Sequence, residues 1–199
     1  MTPIHIYAYL LFYCILHSLL ADRKLIGRAY DLWWYRFFYV LQSIILLLPF
    51  PYLYLNIRHQ PFFNPSLFWQ IILGVIWFSG LFFGLYASKS YNNGMFLGIS
   101  QIKARINGEK QPEMPKKLKT TGALALVRHP YYTAGLIIIW ARPMNRTDFI
   151  VTLILTAYFI LGYMNEERKL IKEFGQGYVE YSRKVPALIP KLRFWHEKY

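Results

Sequence analysis

Apolar residues in this chain gather into long runs instead of alternating with polar ones. Ile4 to Leu20 is broken only by His5, Cys14, His17 and Ser18, and a helix of that length covers about 25 Å at the usual rise. Phe37 to Leu55 is apolar apart from Gln42 and Ser43, with Pro49 and Pro51 expected to kink or end the helix. Leu67 to Tyr86 is the least interrupted run. Tyr132 to Trp140 and Phe149 to Met164 flank the turn Ala141 to Asn145 and predict a helical hairpin, its first arm extended backwards by Ala123 to Val127. A polar, basic stretch from Ala87 to Val127 carries Gly94, Gly98, Gly108, Pro112, Pro115, Lys116, Lys117 and Lys119. The C-terminal part reads as an amphipathic helix near Asn165 to Lys184, then a Pro-bounded tail. The pattern predicts an all-α, multi-span transmembrane protein of about five membrane helices. It forms one integral membrane domain over 1–199, with three N-terminal spans in 1–86.

Composition agrees with a bilayer as solvent. The chain is 55% hydrophobic and 19% aromatic, against about 45–50% apolar in soluble domains. A net charge of +13 raises the question of nucleic acid, but such a binder sets its basic residues on a water-soluble face, and here they lie between apolar runs. The positive-inside rule accounts for them. Segments 21–36, 87–128 and 165–199 hold 4, 8 and 8 Lys plus Arg, whereas 1–20, 56–66 and 141–148 hold 0, 1 and 2. That asymmetry places the N-terminus outside and the large loop, the C-terminus and any site built from them in the cytoplasm. The expected home is an inner or plasma membrane, with the bilayer as partner, anionic head groups attracted to the basic face, and no nucleic acid. Cys14 is the only cysteine. It excludes an intramolecular disulfide and a cysteine-based zinc site, and no metal is expected. The first Lys or Arg is Arg23, after the first apolar run, so that run reads as a retained helix and not as a cleaved signal.

Two constellations can carry chemistry. Arg128, His129, Pro130, Tyr131 and Tyr132 stand where a basic loop meets an apolar helix. Pro suits a first helical turn, and Arg and His beside a helix N-terminus favour an anion. The same residues also suit an interfacial anchor, with Arg snorkelling and Tyr in the aromatic belt. Glu166 and Glu167 end the last apolar run. Carboxylates at the edge of hydrocarbon mark function or find partners, and the alternative is a solvated helix end with Lys169 and Arg168 nearby. Neighbours on a helix point about 100° apart, so one pocket can take only one of the two. His17 with Ser18 is a weaker signal, a polar relay or a histidine bonded to a neighbouring helix. Gly-rich phosphate loops, a His-Glu-x-x-His pair and a serine nucleophile elbow are all missing from the sequence.

Residues 118 to 190 resemble the catalytic region of the isoprenylcysteine carboxyl methyltransferase family and its phospholipid and thiol methyltransferase relatives. The resemblance rests on Leu118 to Gly122, Arg128 to Tyr132, Glu166-Glu167, Leu170, Phe174-Gly175, Tyr178, Tyr181, Val185-Pro186 and Ile189-Pro190. His17 to Ala21, Tyr35-Arg36, Tyr39, Trp140-Ala141 and Pro143 are similar to the methanethiol S-methyltransferase and NnrU-like branch. The resemblance implies an S-adenosyl-L-methionine-dependent enzyme whose cofactor-binding catalytic region is 87–199. It implies cofactor contacts from Lys117, Leu118, Lys119, Leu124, Arg128, His129, Pro130, Tyr131, Tyr132 and Glu166. Arg128 and His129 suit the methionyl carboxylate, Glu166 the ribose hydroxyls or α-ammonium, and Leu118 and Leu124 the adenine. Catalytic base candidates are His129, Glu167 or a tyrosine.

Two positions depart from the family pattern. Ala134 stands where a Gly is usual. Gly162 stands where the prenylcysteine enzymes carry an Arg that serves the substrate carboxyl. The expected activity is therefore methyl transfer to a small or lipophilic thiol. The alternatives are a prenylcysteine carboxylate or lipid amine acceptor, and an NnrU-like accessory protein without turnover. Oligomeric state, acceptor identity and pathway are not legible in the sequence.

Overall fold

The computed structural model describes residues 3–57, 61–63, 65–113 and 117–191. Lys116 and the tail beyond Lys191 lie outside them. The described chain is almost entirely helical, in the order α1 (Ile4–Leu20), α2 (Arg23–Ile26), a 3-10 turn (Gly27–Asp31), α3 (Tyr35–Leu47), α4 (Pro49–Leu55), β1 (Pro61–Phe63), α5 (Leu67–Ser88), α6 (Asn93–Phe96), α7 (Ile99–Ile106), a second 3-10 turn (Gly122–Ala125), α8 (Pro130–Trp140), β2 (Met144–Asn145), α9 (Arg146–Phe174) and α10 (Gln176–Lys184). β1 and β2 form a two-residue antiparallel ladder with Pro61 opposite Asn145.

The all-α expectation holds, and the span count changes. Among the described residues Tyr35–Leu55, Leu67–Ser88 and Arg146–Phe174 are long and apolar enough to cross a membrane, and α1 joins them if it and the bent segment Arg23–Asp31 count as one broken span. The fifth expected helix does not reach that length. Leu126 to His129 leave the helix and α8 has 11 residues, about 16 Å. Ala123 to Val127 therefore form a 3-10 turn and loop instead of extending α8. The expected boundary near Asn165 is also displaced. α9 runs without a break from Arg146 to Phe174, and the chain turns at Gly175, whose φ of 57° is open to glycine and costly for other residues.

The described residues fall into two compact units. The first comprises 1–64, 92–114 and 143–158. Its buried centre is Ile6, Leu10, Cys14, Ile57 and Val151, ringed by Tyr7, Tyr13, Phe50, Tyr54 and Tyr158. α9 starts inside it with a reciprocal cap. Asp148 accepts from the Asn145 amide at 3.0 Å and Asn145 accepts from the Asp148 amide at 2.9 Å, while Tyr54 donates to Asp148 at 2.9 Å. His17 is held by α3, with Tyr39 Oη 2.6 Å from Nε2 and Ser43 Oγ 2.9 Å from Nδ1.

The second unit comprises 65–91, 115–142 and 159–199. α8 lies on α5 because Gly80 and Gly84, one turn apart, leave room. A Cβ on Gly80 would come within 2.7 Å of Ile137 Cγ2, and one on Gly84 would meet Ala134 Cβ at 3.4 Å. This is the small-xxx-small close approach of membrane helices. It accommodates Ala134, since the methyl that replaces the family's glycine faces a glycine on α5.

Candidate functional site

The site is built within the second unit, from the start of α8, the end of α9 and the chain after α10. Pro130 opens α8, and a following segment straps the residues before it. The Arg128 amide donates to the Pro186 carbonyl at 2.9 Å and the His129 amide to the Ala187 carbonyl at 3.0 Å. Thr133 Oγ1 extends the strap, donating to the Leu188 carbonyl at 2.7 Å. Val185-Pro186 and Ile189-Pro190 fit this role, because prolines hold an extended chain and need no donor of their own.

Glu167 is the hub. Arg128 grips it with two hydrogen bonds of 2.8 Å, from Nε to Oε1 and from Nη2 to Oε2. His129 Nε2 lies 2.6 Å from Oε1, and Tyr178 donates to Oε1 at 2.7 Å. Arg128 Nη1 donates to the carbonyls of Ser182 and Val185 at 2.8 and 2.5 Å. The side chains of His129, Arg128 and Glu167 are 2, 11 and 17% exposed. Such a desolvated ionic network persists only when its polar atoms are satisfied, and here they are. Tyr181 adds a bond to the Leu124 carbonyl at 2.5 Å, tying the second 3-10 turn to α10.

This arrangement bears on two expected roles. Four of the five N–H groups of Arg128 are directed at Glu167 and the carbonyls of Ser182 and Val185, so its guanidinium works as a clamp within the chain. Glu167 does not simply meet water and neighbouring Lys or Arg. Glu166, about 100° around the helix, is 45% exposed, with Oε2 3.7 Å from His129 Nδ1. The two adjacent carboxylates are thus divided as the helical step requires, one built into the fold and one facing outwards. Burial opposes a charge on His129, but hydrogen bonds and attraction from Glu166 and then Glu167 outweigh it and hold its pKa above the ordinary imidazole value. Arg128 is likewise opposed by burial and held above its ordinary value by Glu167.

The remaining expected contacts lie in the loop before α8 and in its first turn. Pro130 is buried, Tyr131 and Tyr132 half-buried, and the ring of Tyr132 stands edge-on to His129 at 5.8 Å. Leu124 is buried and Leu118 partly so, while Lys117 and Lys119 are exposed, with Lys119 Nζ 3.3 Å from the Lys89 carbonyl. The sequence reading overlooked Tyr178 and Tyr181 as hydrogen-bonding members, although their spacing of three on one helix face was the available signal. Gly162 has a local cause: a Cβ there would lie 3.1 Å from Tyr132 Oη and 3.2 Å from Cε1. An arginine at that position would displace the Tyr132 ring.

Apolar helices of spanning length with a charged cluster at the start of α8 and the end of α9 define an α-helical membrane protein with one polar, desolvated centre. No family model and no solved structure matches the chain. Named relatives do. The chain is 28% identical to methanethiol S-methyltransferase 2 of Bradyrhizobium diazoefficiens over 90% of its own length and 70% of that protein. It is 29% identical to a methanethiol S-methyltransferase of a Pseudomonas species over 82% and 66% of the two chains, and 26% identical to human protein-S-isoprenylcysteine O-methyltransferase over 64% and 46%. The chain spans about two thirds of the length of the methanethiol enzymes it matches.

Proposed function

We propose that the protein is an S-adenosylmethionine-dependent membrane methyltransferase whose acceptor is a small or lipophilic thiol. The observation that carries this is the likeness to methanethiol S-methyltransferases, which extends over nine tenths of the chain and so includes both the N-terminal helices and the charged cluster.

The donor set fits the cofactor. Glu166 offers carboxylate oxygens with a single long contact, suited to ribose hydroxyls or an α-ammonium. Lys117 and Lys119 are exposed cations for a carboxylate, and Leu118 and Leu124 are apolar walls. S-adenosylmethionine, when bound, supplies an electrophilic methyl on a sulfonium. The chain's own residues then have positioning tasks. Arg128 and Tyr178 fix Glu167, Glu167 fixes His129, and the strap over 186–188 holds the start of α8 in place. Such placement in a dry site accounts for much of the acceleration available to an in-line displacement.

Neither Glu167 nor His129 is free to take a proton from an acceptor in this geometry. Both oxygens of Glu167 face a guanidinium, and His129 Nε2 is engaged by Glu167 at 2.6 Å while Glu166 lies 3.7 Å from its Nδ1. A cysteine-type thiol ionises near pH 8 to 9 without help and an unactivated alkanethiol higher still, so the reading favours an acceptor whose small thiolate fraction is drawn from bulk water. Gly162 against the Tyr132 ring stands where the prenylcysteine enzymes carry their carboxylate-binding arginine, which also favours a thiol. The test is transfer of label from S-adenosylmethionine to a panel of methanethiol, longer thiols, prenylcysteines and lipid amines. The expected result is a labelled thioether. Turnover of prenylcysteine alone would move the assignment to the carboxylate acceptor, and cofactor binding with no turnover to an accessory protein. Charge asymmetry further supports a cytoplasmic site with the N-terminus outside.

A further inference from the structure

Within the first unit, α7 begins at the level where a span enters the membrane. Gly98, the residue before it, has a φ of 80°, and a Cβ there would lie 2.7 Å from Phe37 Cα and 2.9 Å from the Arg36 carbonyl carbon. Arg36 and Phe37 stand in the first turn of the Tyr35–Leu55 span. Arg36 fixes the approach, donating from Nε to the Phe96 carbonyl at 2.6 Å with its guanidinium 4.8 Å from the Phe96 ring centroid. Tyr35 donates to the Leu20 carbonyl at 2.8 Å, which brings the end of α1 to the same level. The chain between them displays Leu25, Leu32, Trp33 and Trp34, all exposed, and tryptophan belongs to the membrane–water boundary.

α7 carries its apolar residues on the outside. Ile99, Ile102 and Ile106 share an arc of about 60° on the helix, with Lys103 to one side of it and Arg105 to the other. Ile106 is 76% exposed and Ile99 39%, whereas Ala104 on the opposite side is 6% exposed. A surface helix in water buries its apolar stripe. A helix lying in a membrane interface sinks that stripe to the acyl boundary and keeps Lys and Arg among the head groups. The charge at this end of the unit is lopsided: in segments 21–36 and 93–106, Arg23, Lys24, Arg28, Arg36, Lys103 and Arg105 are offset only by Asp22 and Asp31.

We infer that α7 is an interfacial helix whose partner is an anionic lipid surface, with Ile99, Ile102 and Ile106 at the acyl boundary and Lys103 and Arg105 on lipid phosphates. The excess of cations selects anionic over zwitterionic head groups. It also decides against a second copy of this chain, because a two-fold contact would set the same cations against each other. The inference stands whether or not the methyltransferase reading holds.

The experiment puts a single cysteine at Ile106 in a Cys14→Ser background, attaches an environment-sensitive fluorophore, and places the full chain in nanodiscs of phosphatidylcholine with and without phosphatidylglycerol. Glu109, exposed beyond the helix, is the reference site. With phosphatidylglycerol the label at 106 should shift to the blue and be quenched by lipids brominated near the head group, while the label at 109 is quenched by aqueous iodide. Adding Lys103→Gln and Arg105→Gln should lower the ratio of shielded to open label roughly tenfold in those discs, and raised salt should act in the same direction. If the variant at 106 does not fold, the same label at Ile99 carries the comparison. A label as open to iodide at 106 as at 109 overturns the inference. So does equal shielding in both lipids that the double substitution leaves unchanged, and so does shielding confined to discs that hold two copies.

Discussion

Replacing Glu167 by Gln tests the division of labour between the two carboxylates. The substitution keeps the shape and removes the charge facing Arg128 Nε and Nη2, which hold Oε1 and Oε2 at 2.8 Å each. The new amide must also turn an NH2 towards either the guanidinium or the His129 and Tyr178 contacts on Oε1. Removing one member of a buried ion pair costs about 3 to 5 kcal/mol because the partner is left buried and uncompensated. Glu167 retains 17% exposure, so the lower end, about 3 kcal/mol, applies. At roughly 2 to 4 °C per kcal/mol for a chain of this size, the unfolding midpoint drops by about 6 to 12 °C. Glu166→Gln, at a 45% exposed site, should shift the midpoint by no more than the roughly 0.5 kcal/mol usual for surface changes, yet weaken S-adenosylmethionine binding about tenfold. Both are read by thermal unfolding in detergent with and without ligand. The reasoning fails if Glu167→Gln melts with the parent while Glu166→Gln melts early.

Further outcomes follow from the same network. The folded pKa of His129 lies above its unfolded value, so its ionic contribution is complete below pH about 6.5 and is lost as pH rises through the folded value. The unfolding midpoint of the parent should therefore fall on going from pH 6 to pH 9 more steeply than that of His129→Gln, and equal slopes would exclude this coupling. Tyr178→Phe removes one of the bonds to Glu167 and is expected to cost about 1 kcal/mol, seen as a smaller midpoint shift than Glu167→Gln. With thiolate as the reacting form, turnover of a thiol series should rise with pH towards each acceptor's own pKa, whereas one common inflection for all acceptors would point to an enzyme base. Single cysteines at positions 2 and 198 in a Cys14→Ser background should label from opposite sides of the membrane.

The long apolar runs were legible because a bilayer demands them: Leu67 to Ser88 and the first two thirds of α9 follow from hydropathy alone. The ends of helices were not. Nothing in Asn165 to Lys169 signals that α9 continues, because charged residues beyond the hydrocarbon are good helix formers, and the true stop needed the glycine conformation at 175. α8 was drawn too long for a related reason, since Ala123 to Val127 are as apolar as a helix but are held in a 3-10 turn by tertiary bonds such as Tyr181 to Leu124. The site was legible as a set of residues and not as a set of roles. The resemblance separated Glu166, as a cofactor contact, from Glu167, as a base candidate, but which of them Arg128 grips depends on where the strap over 185–188 meets the start of α8, a long-range fact. The Gly80 and Gly84 spacing was present in the sequence and indicated close helix packing.

The length of α9 itself bears on where chemistry can occur. Arg146, exposed at its first turn, is a cation that belongs at a membrane interface. Glu166 lies 20 residues further along the same continuous helix, about 30 Å at helical rise, which equals the thickness of a typical hydrocarbon core. With Arg146 at one interface, the proposed reading puts the carboxylates at the opposite edge of the apolar layer and not at its middle. That position reconciles a charged network with membrane burial, since only Glu167 and its partners must leave water while Glu166 remains half exposed. It also suits the proposed reaction, in which a polar sulfonium nucleoside would arrive from the aqueous side and a lipophilic thiol from the acyl chains.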